Sequence, residues 1–529
     1  TEPPVFDVCL PENPKKVGYN FIGWVGKYSN GTEIFEAPRV FDAANNIYVP
    51  KKISLRGGGY MSVINFLAKF EKRDDVIVRD EATGLYFLEI DDGAGNVTEY
   101  EVFYYDGNDA SLTVPSAFEG KSVIGIAKEA FLNNSSLKTV DLPDGITYIK
   151  ASAFKNCSSL EEINIPSQVE VIEGDTFSGC NKLKKASFLE NGSVFLIGGG
   201  AFSGCANLTE INFPASLTSI GAYAFENCSA LEEITVPFKV EVIEKDAFAY
   251  CDKLKKVSFL ENGSVSLIDE GAFRECASLT EINLPAGLTS IGAYAFMNCI
   301  NLTEVDLPDG LIKISEGLFE GCNKLDEIII PEEVRTIEKS AFEGCSAINI
   351  IDIPEKTQSV DISAFNCKAL TAINVASKNR YFQSVDGVLF TKGMTTLLRY
   401  PEAKTDTNYT IPIETAIIGT GAFSGAKLLT SVVIQNGLDE IGDNAFYECA
   451  SLSSVIIPNT VYRIGAYAFS KCTGITSITI PKSVEFIGTG AFSYWTSLQT
   501  IYVDGYGSEP LGWSSYWDSP SNAKIVWIA

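Results

Sequence analysis

The chain of 529 residues contains no histidine. That absence excludes Ser-His-Asp and Cys-His nucleophilic catalysis, HExxH zinc sites and imidazole proton shuttles. An enzyme made from this sequence would have to work with carboxylates, tyrosine, lysine or a lone thiol. Positive charge is also short: 41 Lys and Arg against 67 Asp and Glu leave a formal net charge of −26. Nucleic acid and anionic membrane surfaces both call for basic patches, so neither is expected as a partner. No apolar run of about 18 residues occurs, so no membrane insertion by a helix is expected. The chain opens TEPPVFDV, without an initiator Met or a signal-type segment, as expected of a processed or trimmed polypeptide.

What is abundant is repetition. The length exceeds one ordinary core, so several domains or an elongated array is expected. A phenylalanine preceded by a small residue recurs at Phe131, Phe154, Phe177, Phe202, Phe225, Phe248, Phe273, Phe296, Phe319, Phe342 and Phe365. It resumes at Phe423, Phe446, Phe469 and Phe492, and the step is 23 apart from two of 25 and one of 58. Within a unit, Phe225, Cys228 and Leu231 are three apart, the spacing of a short helical turn. Leu231, Ile234 and Val236 then read as a short strand that Pro237 ends. So small a unit cannot bury its own apolar face, so copies are expected to stack around one continuous core. The expected fold class is α/β, β-dominated: a right-handed solenoid of about 15 units.

Cys157, Cys180, Cys205, Cys228, Cys251, Cys276, Cys299, Cys322, Cys345, Cys449 and Cys472 all lie three residues after the repeat Phe. Cys367 is displaced by one, and Cys9 lies outside the array. Asn134, Ala426 and Trp495 fill the same slot in other units, which is inconsistent with a catalytic or metal position. Stacked turns about 5 Å apart with parallel side chains are poorly set for disulfides. A ladder of buried, packing thiols is expected, with neither metal nor cofactor. The Asn-x-Ser/Thr triplets at 156–158, 207–209, 227–229 and 301–303 are expected inside the buried turn, closed to glycans.

The unit AFxxCxxLxxIxIPxxVxxIG resembles the BspA-type leucine-rich repeat, over about 112–529. Residues 111–131 resemble the family's opening repeat, 380–401 its inserted hairpin and 507–529 its Trp-containing closing segment. The resemblance implies an extracellular protein, attached to the cell surface or secreted, that binds host or matrix proteins. At the N-terminus, Gly18-Tyr19-Asn20-Phe21, Gly23-Trp24 and the closing IYVPKK resemble a partial Listeria–Bacteroides repeat, a small β-grasp-like module. The expected organisation is therefore that module over 1–52, a β-hairpin region or N-terminal cap over 53–110, and the solenoid over 111–529. The solenoid would carry an inserted hairpin at about 376–410 and a C-terminal cap at about 505–529. Asp91, Asp92 and Asn96 lie in a turn-rich stretch whose spacing lacks the EF-hand pattern, so a turn is expected there.

Between the buried positions of each strand, two columns face outward. One runs through Glu162, Lys185, Glu210, Glu233, Lys256, Glu281, Glu304 and Glu327, then turns to Ile350, Ala372, Ser431, Ser454, Ser477 and Thr500. The other carries Asn and Asp, then Ile329, Val433, Ile456 and Tyr502. Periodic charge of this kind suits a solvated face. Apolar residues among polar neighbours suit a binding face, with Ile329, Ile350, Val433, Ile456 and Tyr502 as anchors. The 35 extra residues of the long step offer Tyr381, Phe382, Lys392, Arg399 and Tyr400 as aromatic and basic contacts, or else a cover over a break in register. Residues 182–197 and 253–268 are near copies 71 apart, which presents one surface twice and suits a repetitive partner.

The function expected is a non-enzymatic adhesion or protein-binding module, acting as a monomer on a protein or possibly a glycan. The alternatives are a structural stalk that displays another domain, or a glycosidase using two carboxylates. The glutamates are periodic where a glycosidase needs two that converge.

Overall fold

A computed structural model describes residues 77–189 and 191–528, and the backbone of seven strands between Val5 and Lys72. Val5–Val8 pairs antiparallel with Ile53–Arg56, and Tyr19–Tyr28 pairs with both Glu33–Pro38 and Ile64–Lys72. Strands on either side of residue 52 thus share sheets, so a division there does not follow the backbone. Gly18, the closing Pro-Lys-Lys, Cys9 and the side chains of the Tyr-Asn-Phe and Gly-Trp motifs lie outside the described residues.

From Ser111 onward the chain winds into a solenoid whose turns are joined by three hydrogen-bonded ladders. The first is a face strand of two to five residues, such as Glu162–Ile165, parallel and in register with Lys185–Phe188. Its alternation follows from the sequence: Ile163 and Ile165 point to the core, Glu162 and Asn164 to solvent. The second is a two-residue strand, as in Ile149 against Ile172 and Ile172 against Ile197. The third joins the arcs around each Phe. The Ser152, Phe154 and Asn156 amides donate to the carbonyls of Gly174, Thr176 and Ser178 at 3.0, 2.8 and 2.7 Å.

The arcs correct the helical reading. Residues two before and two after the repeat Phe hold left-handed backbone, as at Tyr223 (φ 60°) and Asn227 (φ 59°). A right-handed helix cannot pass through such residues. The three-residue spacing therefore belongs to a kinked arc, and no α-helix occurs among the described residues. The one helical element among the described residues is the single 3₁₀ turn Ile362–Phe365. There the left-handed residue after the Phe is missing, so Cys367 arrives one position early.

Inside, the Phe rings stack from Phe131 to Phe342 at centroid distances of 4.7–6.1 Å, and again from Phe423 to Phe492 at 4.9–5.5 Å. The twelve described cysteines are buried and unpaired in disulfides. Each thiol donates to the carbonyl of the Phe one turn earlier, as Cys228 does to Phe202 at 3.3 Å and Cys472 to Phe446 at 3.0 Å. Cys367 keeps this bond, to Phe342 at 3.1 Å, and so belongs to the ladder despite its displaced position. Trp495 replaces the thiol with its indole N–H, 2.8 Å from the Phe469 oxygen. The slot is thus a hydrogen-bonding position as well as a packing one. Burial pushes eleven of the thiols up, Cys180 through Cys472, with Cys299 and Cys449 at about 12, so the reactive thiolate is suppressed there. In the native state DTNB should leave these twelve thiols unmodified, and all should react in guanidinium. Rapid labelling of most of them with circular dichroism unchanged would contradict the buried ladder.

The sequons are not closed as expected. Asn156, Asn207 and Asn227 are exposed and Asn301 is half-buried, while the neighbouring Phe and Cys are buried.

The long step hides a turn. Tyr400 stands where Phe would: its amide donates to the Ala422 carbonyl at 2.7 Å and its ring lies 5.2 Å from Phe423. Asn408–Thr410 pairs with Ser431–Val433, completing that turn's face strand. The remainder is a hairpin, Phe382–Val385 against Val388–Thr391. Two apolar clusters meet at it, with Leu389 in the first and Val388 and Phe390 in the second.

Both ends are closed. Leu85–Asp91 and Val97–Tyr105 form an antiparallel pair, and the latter runs parallel to Lys121–Ile126, prolonging the second ladder. Phe87, Phe118 and Tyr100 cover the first turns, with Phe87 stacked 4.3 Å from Phe118. Asp92 accepts the amides of Ala94 and Asn96, so the acidic stretch is a turn. At the other end Trp517 packs edge-on against Phe492 and Trp513 against Trp517, and Lys524–Ile528 adds a parallel strand to Thr500–Asp504.

Candidate binding face

The face strands hold the two outward columns at fixed spacing, and the anchors divide into three kinds. Ile329 and Ile456 stand 71% and 75% exposed, and both lie outside the paired strands. Ile350 and Val433 are about half exposed. Tyr502 is half-buried, between Thr479 and Val526 on the neighbouring strands.

The hairpin residues require a correction. Tyr381 is exposed, but Phe382, Arg399 and Tyr400 are buried. Tyr400 is the ladder aromatic, and Arg399 stands in the adjacent slot that Ala fills elsewhere. Its guanidinium donates to the Gly421 carbonyl at 3.0 Å and to Glu402 at 2.8 Å. Burial pulls the Arg399 pKa down while Glu402 holds the charge in place. These three side chains hold the register break together and are unavailable to a partner. Of the contacts expected from the hairpin, Tyr381 and Lys392 remain at the surface.

Charge along the face changes with position. In the early turns cations relieve it: Lys184 meets Glu161 and Lys185 meets Glu210, both at 2.7 Å, and Lys255 meets Glu232 at 2.8 Å. Hydrogen bonds from Lys184 and Lys255 hold Glu161 and Glu232 below the usual carboxylate range. Glu281, Glu304 and Glu327 follow one another with no cation within ion-pair distance among the described residues. The run leads into an open groove of about 750 Å³, lined among others by Asp326, Glu327, Ile329, Glu332, Ile350 and Asp352. Sequence reasoning missed this groove. It exists because Asp326–Ile330, with the same alternation as its neighbours, forms no backbone hydrogen bond to either adjacent turn.

The repeat, its parallel face strands and its capped ends define a leucine-rich-repeat solenoid. The sequence matches the BspA type leucine rich repeat region over 97–195, 191–299, 266–385 and 403–509, and the chain belongs to that family. Among solved structures it is similar to a leucine-rich repeat protein from Bacteroides ovatus, at 25% identity and a TM-score of 0.50, over 86% of this chain and 99% of that one. A leucine rich cell surface protein from Faecalibacterium prausnitzii aligns at 22% identity and a TM-score of 0.39, over 86% and 95%. No curated protein matches the sequence.

Proposed function

We propose that the protein is a non-enzymatic binding scaffold of a bacterial surface, displaying its strand face to host or matrix proteins. The observation that carries this reading is the set of Ile329, Ile350, Val433 and Ile456, aliphatic side chains held exposed along one face of the solenoid. Burying such anchors against a partner removes apolar surface from water, and strand pairing already fixes the backbone at Ile350 and Val433. Membership of a family of repeat scaffolds supports it, as does the periodic spacing of carboxylates that a glycosidase would need to converge.

The test is binding of the purified chain to immobilised matrix proteins and glycans, followed by Ile329→Glu and Ile456→Glu. Each substitution should weaken binding about tenfold or more, as loss of an interface anchor does. Stability should change by less than about 0.5 kcal/mol, because both side chains are in solvent. Unchanged affinity for every ligand would overturn the role of this face. Loss of folding would show these residues to be core.

A further inference from the structure

Resting on that reading, we infer that the groove at Asp326–Ala376 takes an extended, basic segment of a partner protein, with aliphatic residues alternating with lysine or arginine. Three observations converge on this occupant. The floor carries two exposed aliphatic side chains, Ile329 and Ile350, on adjacent turns. The rim carries Asp326, Glu327, Glu332 and Asp352; Asp352 accepts a hydrogen bond from Asn374, and no cation reaches the other three among the described residues. The backbone of Asp326–Ile330 lines the same groove with amide and carbonyl groups that no other backbone group in the described residues meets.

Each feature selects something different. The carboxylates select positive charge, reinforced by Glu281 and Glu304 on the approach and by the protein's net charge of −26. The isoleucines select aliphatic side chains at a spacing that adjoining turns set. The unpaired backbone selects a chain able to offer its own amides and carbonyls, as an extended peptide does when it lies along strand edges. The comparable opening of about 710 Å³ around Glu210, Asn212 and Phe238 lacks this combination, since Lys185 neutralises Glu210 there.

The test uses the whole chain and three fluorescein-labelled peptides, KVKIKVK, KGKGKGK and EVEIEVE, read by fluorescence polarisation. KVKIKVK should bind at least tenfold more tightly than either of the others. Raising salt from 20 to 300 mM should weaken it several-fold, because rim charges are screened. The double variant Glu327→Lys, Glu332→Lys should weaken KVKIKVK at least tenfold. Glu162→Lys, Glu233→Lys, which makes the same charge change farther along the face, should weaken it less than threefold. Equal losses in the two double variants would reduce the effect to overall charge and overturn the assignment, as would equal binding of KVKIKVK and KGKGKGK. If the peptides fail while matrix proteins still bind through Ile456, this inference falls and the scaffold reading stands. If no protein binds at all, the scaffold reading falls first.

Discussion

Raising the pH from 8 to 11 should unfold the protein. Burial raises the pKa of eleven ladder thiols, with Cys299, Cys367 and Cys449 reaching about 12. In the unfolded chain a thiol ionises near its ordinary value of 9.0. Above that pH the unfolded state releases protons that the folded state retains, so ionisation favours unfolding. The contribution is fully present below pH 9 and is lost as the pH climbs towards 12. Each thiol accounts for about 1.4 kcal/mol per pH unit. By pH 11 the three thiols near 12 would together remove about 8 kcal/mol, comparable with the whole stability of a typical domain. Burial raises the pKa of Tyr400 and Tyr409 as well, which adds to the loss at the upper end. Guanidinium midpoints followed by circular dichroism at pH 8, 9 and 10 would measure the slope, and Cys299→Ala should flatten it by one thiol's share. A midpoint that stays constant to pH 10.5 would contradict the sealed ladder.

The second large effect is expected at the hairpin. Successive residues of a strand point to opposite sides, so Leu389 and Phe390 plug two different cores from one backbone. Phe390→Ala should cost about 3–5 kcal/mol and Leu389→Ala about 2–5 kcal/mol, because each opens a cavity in a fully buried site. A solenoid is stabilised by contacts between neighbouring turns, so weakening this junction should also uncouple the halves. Four of the five tryptophans, Trp495, Trp513, Trp517 and Trp527, report on the second half, and the fifth is Trp24. In a Trp24→Phe background, tryptophan fluorescence and circular dichroism should give coincident unfolding curves for the parent. For the double variant Leu389→Ala, Phe390→Ala the curves should separate into two transitions. Coincident curves with a cost below about 1 kcal/mol would mean that the hairpin merely lies on the surface.

The face strands were legible because burial imposes a period of two, and the ladder because one aromatic and one thiol recur at fixed offsets. The arcs were misread because Phe, Cys and Leu at three-residue spacing fit a helical turn equally well. A warning was present: Asn or Gly occupies the second position after Phe at 156, 179, 204, 227, 298, 321, 344 and 425, and these residues favour left-handed backbone. Tyr250, Glu275 and Lys471 at the same position blur that signal. The turn at Tyr400 was concealed by three substitutions at once. Arg399 replaces the small residue before the aromatic, Asp406 stands in the Leu slot, and Tyr409 stands in the Ile slot of the strand. The exposure of Ile329 and Ile456 was readable from alternation alone. The groove beside Ile329 was not, since Asp326–Ile330 pairs with neither adjacent turn although its letters match those of well-paired strands.

The donor bond from each thiol to a carbonyl has a practical consequence. Trp495 fills the position with an N–H and Asn134 with an amide that reaches the Gly107 oxygen at 3.3 Å, so the site tolerates different bulk while keeping a proton to give. Alanine occurs there only at 403 and 426, in the two turns that follow the hairpin. A sulfur-free version of this molecule is therefore better assembled from serine than from alanine, since each oxygen would retain the link from one coil to the last.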